Sequence, residues 1–597
     1  MEQKTTEFPW TKSYDPGVTR EFTYEAESIC NLLDRAAREY PNSPAYIFAG
    51  NQYTFADVQR IAETMAANLR AHGLAPGDRV SLMFPNLPQM VFSFWAVLKA
   101  GGVVVMTNPL YMETELVHHL HDAGVRFLIT ADMCWPKLEQ LRDKLPVEKY
   151  FVTTIADVLS FPANLLYTFK AKKNGSAKSI PYDGKVVLPF KPLTKGTLRL
   201  STNVANPREE VALIQYTGGT TGLPKGVLLT HANFCANVRQ LLSILHVLKK
   251  NEDVFAGVLP IFHVYGFCLN ILASVALADT VVLVPRYEPG ELLRLIEKYK
   301  IAIFPGAPSI YLSLMQHKDL KKYDLSSMRY AISGSAPISA DALARFKELT
   351  GCTVVEGYGL TECSPVTHLN PADGTHRFGS IGLPLPGTEA RIVDMEVGSI
   401  ELPPGKPGEL IIRGPQVMRG YYKQPDETAG TLRNDWLYTG DIAHMDEDGF
   451  FYILDRKKDM VIVGGYNVYP REIDDVLLEH PDIKEAVAVA VLHPTRGETL
   501  KAYVVPKDGV QMTAADIVAY CRKKLANYKI PRQVEFRDSL PRAMTGKVLR
   551  RALRQEELER YQKNSGEALP AEEVENGLNG NGNGVAETKK IKKKRKD

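Results

Sequence analysis

The sequence predicts an α/β protein whose large N-terminal domain contains mainly parallel sheets covered by helices. From about residue 26 to 450, strand-like apolar runs alternate with helix-like ones, as in RVSLMF, QMVFSFWAVLKAG and VVVMTN, and again in TVVLVP, ELLRLIEKYK and IAIFPG. This repeated order is typical of parallel sheets, because a crossover, usually a helix, must connect two parallel strands. The length of 597 residues exceeds that of one ordinary domain and therefore predicts several.

Shorter runs follow and predict two further units. After about residue 390 the segments ARIVD, GSIEL, GELIIRG and GFFYIL are separated by turns, which predicts a β-rich subdomain. Beyond residue 458 the order helix, strand, strand, helix, strand predicts a small α+β domain. We expect an N-terminal extension over 1–25, the large domain over 26–457, the small domain over 458–561 and a disordered basic tail over 562–597.

Composition and charge narrow the class of protein. The chain is 45% hydrophobic and 24% charged, which is typical of a soluble folded protein. Its formal net charge is +3, but the last nine residues, KKIKKKRKD, hold seven basic groups and one acid, so the remainder is net acidic. This distribution argues against a nucleic-acid partner. Seven scattered cysteines without a C-x-x-C pair favour free thiols in a reducing compartment over disulfides or a zinc site.

The sequence favours a cytoplasmic location. The start MEQKTTEFPW lacks the basic and apolar regions of a secretory signal, and the apolar run 267–285 is interrupted by polar residues, which predicts a buried helix and a strand rather than a membrane span. The basic tail and the stretch VLSFPANLLYTFKAKK at 158–173 also suggest weak association with the inner membrane face. The alternative is a merely solubilising tail and a stretch that packs against the large domain.

A glycine-rich loop, YTGGTTGLPKG at 216–226, predicts a phosphate site. Glycines let a ligand approach the backbone, threonines offer hydroxyls, and Lys225 adds a positive charge, so the natural ligand is a polyanion. The loop is not a Walker A motif, because Gly226 rather than Ser or Thr follows the lysine. A flexible surface turn is the alternative interpretation.

Three further turns carry groups suited to nucleotide chemistry. Glu362 in EGYGLTE could present a carboxylate to a metal, Asp441 in WLYTGD could accept hydrogen bonds from a ribose diol, and Lys547 lies in a Thr-Gly turn of PRAMTGKVLRR. Taken alone, an Asp or Glu in a glycine turn is more often a turn former or a helix cap, and a basic turn is usually a solvated face. The histidines at 118, 119 and 121 lie in a predicted amphipathic helix and are interpreted as structural or surface groups, since neither H-E-x-x-H nor G-x-S-x-G occurs.

Together, these four motifs and their order closely resemble the adenylate-forming superfamily of acyl-CoA synthetases, luciferases and peptide-synthetase adenylation domains. The resemblance covers about residues 27 to 560 and rests on YTGGTTGLPKG, EGYGLTE, YTGD followed by DRKKD, and P-x-x-x-x-GK. Within the superfamily, PIFHVYGF at 260–267, GPQVMRGYY at 414–422 and GGYNVYPREID at 464–474 are most similar to bacterial long-chain fatty-acid–CoA ligases.

The resemblance implies a two-step reaction in which ATP and a fatty acid give an acyl adenylate and pyrophosphate, and CoA then displaces AMP. It implies Mg²⁺, a small C-terminal domain that is mobile about Lys458, and a substrate tunnel for CoA. A ligase for medium-chain or aryl acids, an acyl-AMP ligase that donates to a carrier protein, and a homodimeric state are left open. A non-catalytic acyl-binding protein is disfavoured, because Lys547, Glu362 and Asp441 are all present.

The resemblance also implies roles for individual residues. The loop would hold the β and γ phosphates, Tyr358 would stack on adenine, Asp441 and Arg456 would hold the ribose, and Lys547 would bridge the carboxylate and α-phosphate. The implied catalytic residues are Lys547, Glu362, Thr220 and His263, with Thr220 and Glu362 at the metal. The implied ATP/AMP-binding residues are Thr217, Gly218, Gly219, Thr220, Thr221, Gly222, Lys225, Gly334, Ser335, Ala336, Glu356, Gly357, Tyr358, Gly359, Thr361, Asp441, Ile453, Arg456 and Lys547. The implied CoA-binding residues are Gly464, Gly465 and Tyr466, and the implied acyl-pocket residues are His263, Phe267 and Gly306. Gly218 stands where many relatives have Ser.

Overall fold

The computed structural model describes residues 8–19, 22–173, 178–217, 224–336, 338–463, 466–493, 497–542 and 548–565. Four sheets organise these residues. The fold is α/β, and its two largest sheets are parallel along most of their width, as the alternation of strands and helices predicts. A third sheet is antiparallel, and the fourth belongs to the α+β unit near the C-terminus.

The larger of the two main sheets has nine strands. Its six central strands pair in parallel, and antiparallel strands close both ends. In spatial order the strands are Leu383–Pro384, Val366–Leu369, Thr353–Gly359, Tyr330–Ser333, Ile303–Gly306, Val254–Gly257, Thr280–Leu283, Pro44–Phe48 and Asn51–Thr54.

The second main sheet has eight strands, and the three strands at one end pair antiparallel. In spatial order they are Gly420–Tyr421, Lys225–Thr230, Val211–Thr217, Val103–Met106, Arg79–Met83, Val125–Ala131, Lys149–Thr153 and Val187–Pro189. Asn86, after one of these strands, joins the two main sheets, because its side chain donates to the carbonyls of Gly257 and Leu259 and accepts from the N–H of Ile261.

The helices cover these sheets and form most of the remaining core. Every residue of the helix Pro88–Lys99 is buried, which explains why its sequence is apolar on all sides. The apolar run 267–285 forms a buried helical segment and then a strand, as predicted. The α-helices are Cys30–Glu39, Phe55–Ala71, Pro88–Lys99, Glu113–Ala123, Trp135–Leu141, Ala163–Lys173, His231–Ile244, Val264–Phe267, Ser274–Ala276, Pro289–Tyr299, Pro308–Met315, Ala340–Thr350, Pro425–Thr431, Pro470–Leu478, Ala514–Arg522 and Arg550–Ser565, and a π-helical turn spans Cys268–Ala273.

The predicted β-rich unit is an antiparallel sheet of five strands. These are Glu389–Val393, Gly408–Arg413, Trp436–Met445, Leu432–Arg433 and Phe451–Arg456. The prediction of a strand at GSIEL is wrong: Glu401 makes only one isolated bridge, to Val393. The carboxylate of Asp394 accepts hydrogen bonds from four backbone N–H groups between 397 and 400, and this holds the segment in a turn instead.

The N-terminal segment packs on this antiparallel sheet. Trp10 is buried, and its ring lies edge-on to Phe451 at 5.9 Å. A Cβ added to Gly449 would lie 2.4 Å from the backbone of Trp10, so the hairpin that carries Gly449 and the N-terminal segment are in close contact. Residues 8–19 therefore contribute to the core of the large unit.

The α+β unit follows a short 3₁₀ turn, Lys457–Asp459. Its strands are Tyr466–Val468, Val461–Val463, Gly497–Pro506, Ile483–His493 and Gln533–Phe536. The helices Pro470–Leu478 and Ala514–Arg522 occur in the predicted order, and Arg550–Ser565 follows them.

The helix Ala163–Lys173 lies on the surface. None of its residues is buried, and Phe161, Leu165, Leu166 and Phe169 are 77%, 58%, 65% and 70% exposed. The helix therefore adds no residue to the core, although Ala163, Asn164, Tyr167 and Ala171 are half-buried. No helix within the described ranges has both the length and the apolarity that crossing a membrane requires.

Candidate active site

The predicted phosphate loop connects two neighbouring antiparallel strands. Thr217 ends the strand Val211–Thr217, and Lys225 begins the next strand and pairs with it in register. The predicted site residues Gly218, Gly219, Thr220, Thr221 and Gly222 lie outside the described residues. The described ends place Thr217 and Lys225 side by side at the base of the loop.

A buried carboxylate joins the nine-stranded sheet to the antiparallel sheet. The hydroxyl of Tyr358 donates to Asp441 Oδ2 at 2.5 Å, and Arg456 Nε lies 2.6 Å from Asp441 Oδ1. Asp441 and Arg456 are register partners on adjacent strands, which explains why residues 15 positions apart meet. Burial, and then the nearby Asp441 carboxylate, raise the pKa of Tyr358 well above its ordinary value. The structure thus brings together the residues predicted to hold the nucleoside.

Glu362 lies beside this cluster and next to the phosphate-loop hairpin. Its Oε1 accepts a hydrogen bond from the hydroxyl of Tyr421 at 2.8 Å, and its backbone carbonyl accepts from the N–H of Met418 at 2.7 Å. Among the described residues no three His, Cys, Asp or Glu side chains gather as a metal site. A single oriented carboxylate nevertheless fits Mg²⁺, which proteins commonly hold through one or two carboxylates together with substrate phosphates.

The loop after strand Tyr330–Ser333 forms another wall of the cleft. A Cβ added to Gly334 would lie 3.3 Å from the ring of Tyr265, whose hydroxyl donates to the carbonyl of Ile332 at 2.7 Å. Ser335 has a φ of 72°, a left-handed conformation that costs a non-glycine residue free energy. Ala336 follows and is half-buried.

The strand Thr353–Gly359 carries most of EGYGLTE. Glu356 is buried, and a Cβ added to Gly359 would lie 2.1 Å from the carbonyl oxygen of Pro365, so the close approach of these two segments requires glycine. Gly357 is likewise close to Leu369. Thr361 begins the 3₁₀ turn that contains Glu362.

The three residues predicted for the acyl pocket lie near one another in the fold but differ in setting. Phe267 is fully buried, and its ring packs against Phe94 at 4.8 Å and Phe234 at 5.2 Å. His263 caps the helix Val264–Phe267 through Nδ1, which accepts from the N–H of Tyr265, and burial lowers the pKa of its imidazole. Gly306 ends a central strand, and an added Cβ would lie 2.8 Å from the Tyr311 ring.

Two of the residues predicted for the hinge and the CoA site, Lys458 and Tyr466, are described by the structure. Lys458 is in the 3₁₀ turn between the two units, and its carbonyl accepts from Arg554 at 3.5 Å. Ile453 pairs with Ala443 on the preceding strand. Tyr466 begins the strand Tyr466–Val468. Gly464, Gly465 and Lys547 lie outside the described residues.

Sequence reasoning missed three side chains that complete the described cluster. Tyr421 bonds to Glu362, Glu427 forms an ion pair with Lys225, and Tyr265 packs against Gly334. The segment YYKQPDET, which contains Tyr421 and Glu427, directly follows GPQVMRG. The sequence motif therefore pointed to this region, but it did not predict the contacts with Glu362 and Lys225. The histidine helix is confirmed as Glu113–Ala123; His119 is buried and bonded to Thr107 at 2.9 Å, which agrees with a structural role.

These features define an adenylate-forming enzyme, and comparison with known proteins gives its family. Residues 33–422 match the AMP-binding enzyme family, and residues 472–547 match the AMP-binding enzyme C-terminal domain. The chain belongs to the AMP-binding enzyme family.

Similar proteins include acyl-CoA-forming enzymes with several kinds of acid substrate in their names. The chain is 43% identical to a long-chain-fatty-acid–CoA ligase of Bacillus subtilis (strain 168), covering 93% of this chain and 99% of that protein. It is 33% identical to a feruloyl-CoA synthase of Amycolatopsis sp, covering 87% and 97%. The crystal structure of ATP-bound MatB from Rhodopseudomonas palustris superimposes with a TM-score of 0.77 at 29% identity, covering 88% of this chain and 98% of that one.

Proposed function

We propose that the protein is a long-chain fatty-acid–CoA ligase that forms acyl-CoA, AMP and pyrophosphate through an acyl adenylate. The observation that carries this proposal is the cluster of Tyr358, Asp441 and Arg456 beside Glu362, where three separate chain segments bring together groups suited to a nucleotide. The relatives named as long-chain-fatty-acid–CoA ligases, which match nearly the full chain, support the choice of substrate.

In the first step the chain would hold ATP so that a fatty-acid carboxylate attacks its α-phosphate. Asp441 already accepts a hydrogen bond from Tyr358 and forms an ion pair with Arg456, but each carboxylate oxygen has a second lone pair, so ribose hydroxyls can still donate to it. Lys225 and Lys547 would face the negative charge that grows as pyrophosphate leaves. Glu362 and Thr220 would hold Mg²⁺, which neutralises charge on the phosphate oxygens when bound.

In the second step the CoA thiol would attack the adenylate carbonyl and expel AMP. Lys547 has no role in this step, so the α+β unit would rotate about Lys458 and present another face to the cleft. Gly464 and Gly465 would line the entry for the pantetheine arm, since residues without side chains leave room for a thin chain.

A panel of fatty acids from about four to twenty carbons, assayed for CoA-dependent AMP formation, tests the proposal. Each methylene that the acyl pocket buries stabilises the bound acid by about 0.8 kcal/mol, so the length of the chain should affect turnover. We expect turnover to rise toward the long acids. Turnover confined to aryl acids, or acyl transfer to a carrier protein but not to CoA, would contradict the proposal.

We also propose that the enzyme acts in the cytoplasm and binds weakly to the inner membrane face through the helix Ala163–Lys173 and the basic tail. The exposed apolar side chains of this helix lie next to Lys170, Lys172 and Lys173, a combination suited to an anionic lipid surface. The strand before this helix, Lys149–Thr153, runs parallel to Val211–Thr217 within one sheet. The phosphate loop and the segment that leads to the helix therefore start from the same edge of the sheet, which supports a docking mode that brings the nucleotide site near dissolved fatty acid.

Sedimentation with anionic vesicles tests this association. We expect the full chain to bind more at low salt than at physiological salt, because salt screens the lysines. A chain ending at residue 562 should lose the salt-dependent part, and the full chain carrying Leu166→Glu and Phe169→Glu should lose the remainder. Equal, low binding by all three proteins in both salts would contradict the proposal.

A further inference from the structure

Lys225, at the base of the phosphate loop, is held by an acidic side chain from outside that loop. Its Nζ forms an ion pair with Glu427, on the helix Pro425–Thr431. The two side chains are 22% and 34% exposed, so the pair is largely shielded from water. The same Nζ lies 5.3 Å from the centre of the Tyr421 ring, a cation–π distance. Lys225 thus has an anionic and an aromatic partner without any phosphate.

The position of Glu427 is set by the packing of its helix. The strand Gly420–Tyr421 pairs with the strand that begins at Lys225, and the N–H of Tyr421 donates to Thr428 Oγ1 at 2.9 Å. A Cβ added to Gly420 would lie 2.8 Å from the Thr428 side chain, so the strand and the helix are in close contact. Glu427, which precedes Thr428, is consequently anchored over Lys225 rather than extended from a free surface.

The surrounding charges would oppose a bound polyanion unless the ion pair opened. The hydroxyl of Tyr421 donates to Glu362, so the network around this ring contains one ammonium group and two carboxylates. Burial raises the pKa of the Tyr421 hydroxyl, and the charges of Glu362 and Glu427 raise it further, which agrees with both carboxylates lying close to it. To bind Lys225, a triphosphate or pyrophosphate must displace Glu427 from the ion pair. The bound phosphate is then also repelled by the negative charge of that carboxylate.

The geometry points to Glu427 as a positioning residue that competes with the β and γ phosphates for Lys225. It holds the lysine at the loop when no phosphate is present, and it weakens pyrophosphate binding, which favours release of that product. The inference rests on the proposed function in taking a triphosphate as the ligand. Lys225 is available to phosphate only in the fraction of protein molecules in which the ion pair is open. The apparent affinity for any phosphate ligand is therefore the intrinsic affinity multiplied by that fraction.

Glu427→Gln tests the inference, because it removes the charge while keeping the shape. We expect α,β-methylene-ATP with magnesium, measured by calorimetry, to bind about fivefold more tightly to this variant, and pyrophosphate to inhibit adenylation at about fivefold lower concentration. Asp426→Asn is the matched control, since it removes the neighbouring, exposed charge of the same helix and should change neither value. Glu427→Asp, which withdraws the carboxylate by one methylene, should shift both values in the same direction by less, and it serves as the test if the Gln variant does not fold.

The double variant separates competition for Lys225 from general repulsion. In a Lys225→Met background, Glu427→Gln should no longer tighten binding, because the residue acts through the lysine. The inference is overturned by unchanged affinities in Glu427→Gln, by an equal gain in Asp426→Asn, or by a gain that persists without the lysine. Calorimetry needs no fatty acid, so an absence of fatty-acid activity would count against the proposed substrate and not against this role.

Discussion

The hydroxyl of Tyr358 donates a hydrogen bond to Asp441, and this bond joins the nine-stranded sheet to the antiparallel sheet. Arg456 binds the other oxygen of the same carboxylate. The orientation of the Asp441 carboxylate therefore depends on two partners from different strands, and we expect this orientation to suit a ribose.

Tyr358→Phe should raise the KM for ATP by about tenfold, because loss of a donor to a buried carboxylate costs about 1–3 kcal/mol. The measurement is steady-state adenylation at varied ATP concentration. Tyr452→Phe is the control, since its hydroxyl binds Asp446 at 3.2 Å outside the site. Equal KM values for wild type and Tyr358→Phe would contradict the positioning of Asp441 by Tyr358.

Lys547→Ala should nearly abolish fatty-acid-dependent pyrophosphate release and leave thioester formation from supplied acyl adenylate largely intact. The lysine would stabilise charge only in the first step, so only that step should slow. Lys523→Ala, at an exposed lysine of the same unit, serves as the control. Equal damage to both half-reactions would refute this role of Lys547.

A bulky residue at Gly465 should block thioester formation and leave adenylate formation intact, which is the opposite of the result expected for Lys547→Ala. Because the side chain would fill the expected entry for the pantetheine arm, CoA transfer should fail while adenylate formation continues. Both half-reactions are measured on the same variant. If pyrophosphate release disappears as well, the assignment of Gly465 to the CoA site is wrong.

Phe267→Ala should lower the free energy of unfolding by about 3–5 kcal/mol, because the ring is fully buried and packs against two other phenylalanines. If the ring also gates the acyl pocket, the fatty-acid profile should shift toward different chain lengths. Phe127→Ala removes another fully buried ring and should destabilise the fold without that shift. An unchanged chain-length profile and rate in the Phe267 variant would exclude the gate.

Acid should destabilise the protein through His119. Burial lowers the pKa of this imidazole from 6.5 to about 3. Between these values the unfolded chain binds a proton that the folded chain does not, so the free energy of unfolding falls as pH decreases through this window. At pH 5 the loss from this histidine is about 2 kcal/mol. Urea unfolding at pH 7 and pH 5 should show a smaller difference in His119→Gln than in wild type, while the exposed His121→Gln behaves like wild type.

The sequence alone predicted the fold class, the four nucleotide motifs, the β-rich unit and the α+β unit. These features depend on local periodicity and on short segments. RVSLMF, TVVLVP and IAIFPG form strands, and QMVFSFWAVLKAG and ELLRLIEKYK form helices, as their apolar patterns predict. The same reasoning failed at GSIEL, since the hydrogen bonds of Asp394 override the short apolar pattern there.

Only the tertiary structure decided which side chains meet across the cleft. Tyr358 and Asp441 are 83 positions apart, and Lys225 and Glu427 are 202 apart, so their pairing depends on how separate strands and helices pack. The exposure of the helix Ala163–Lys173 was also decided by the tertiary structure, because its apolar residues fit either a membrane-facing surface or packing against the large domain. Local patterns specify elements, whereas contacts between distant elements follow from the packing of the whole chain.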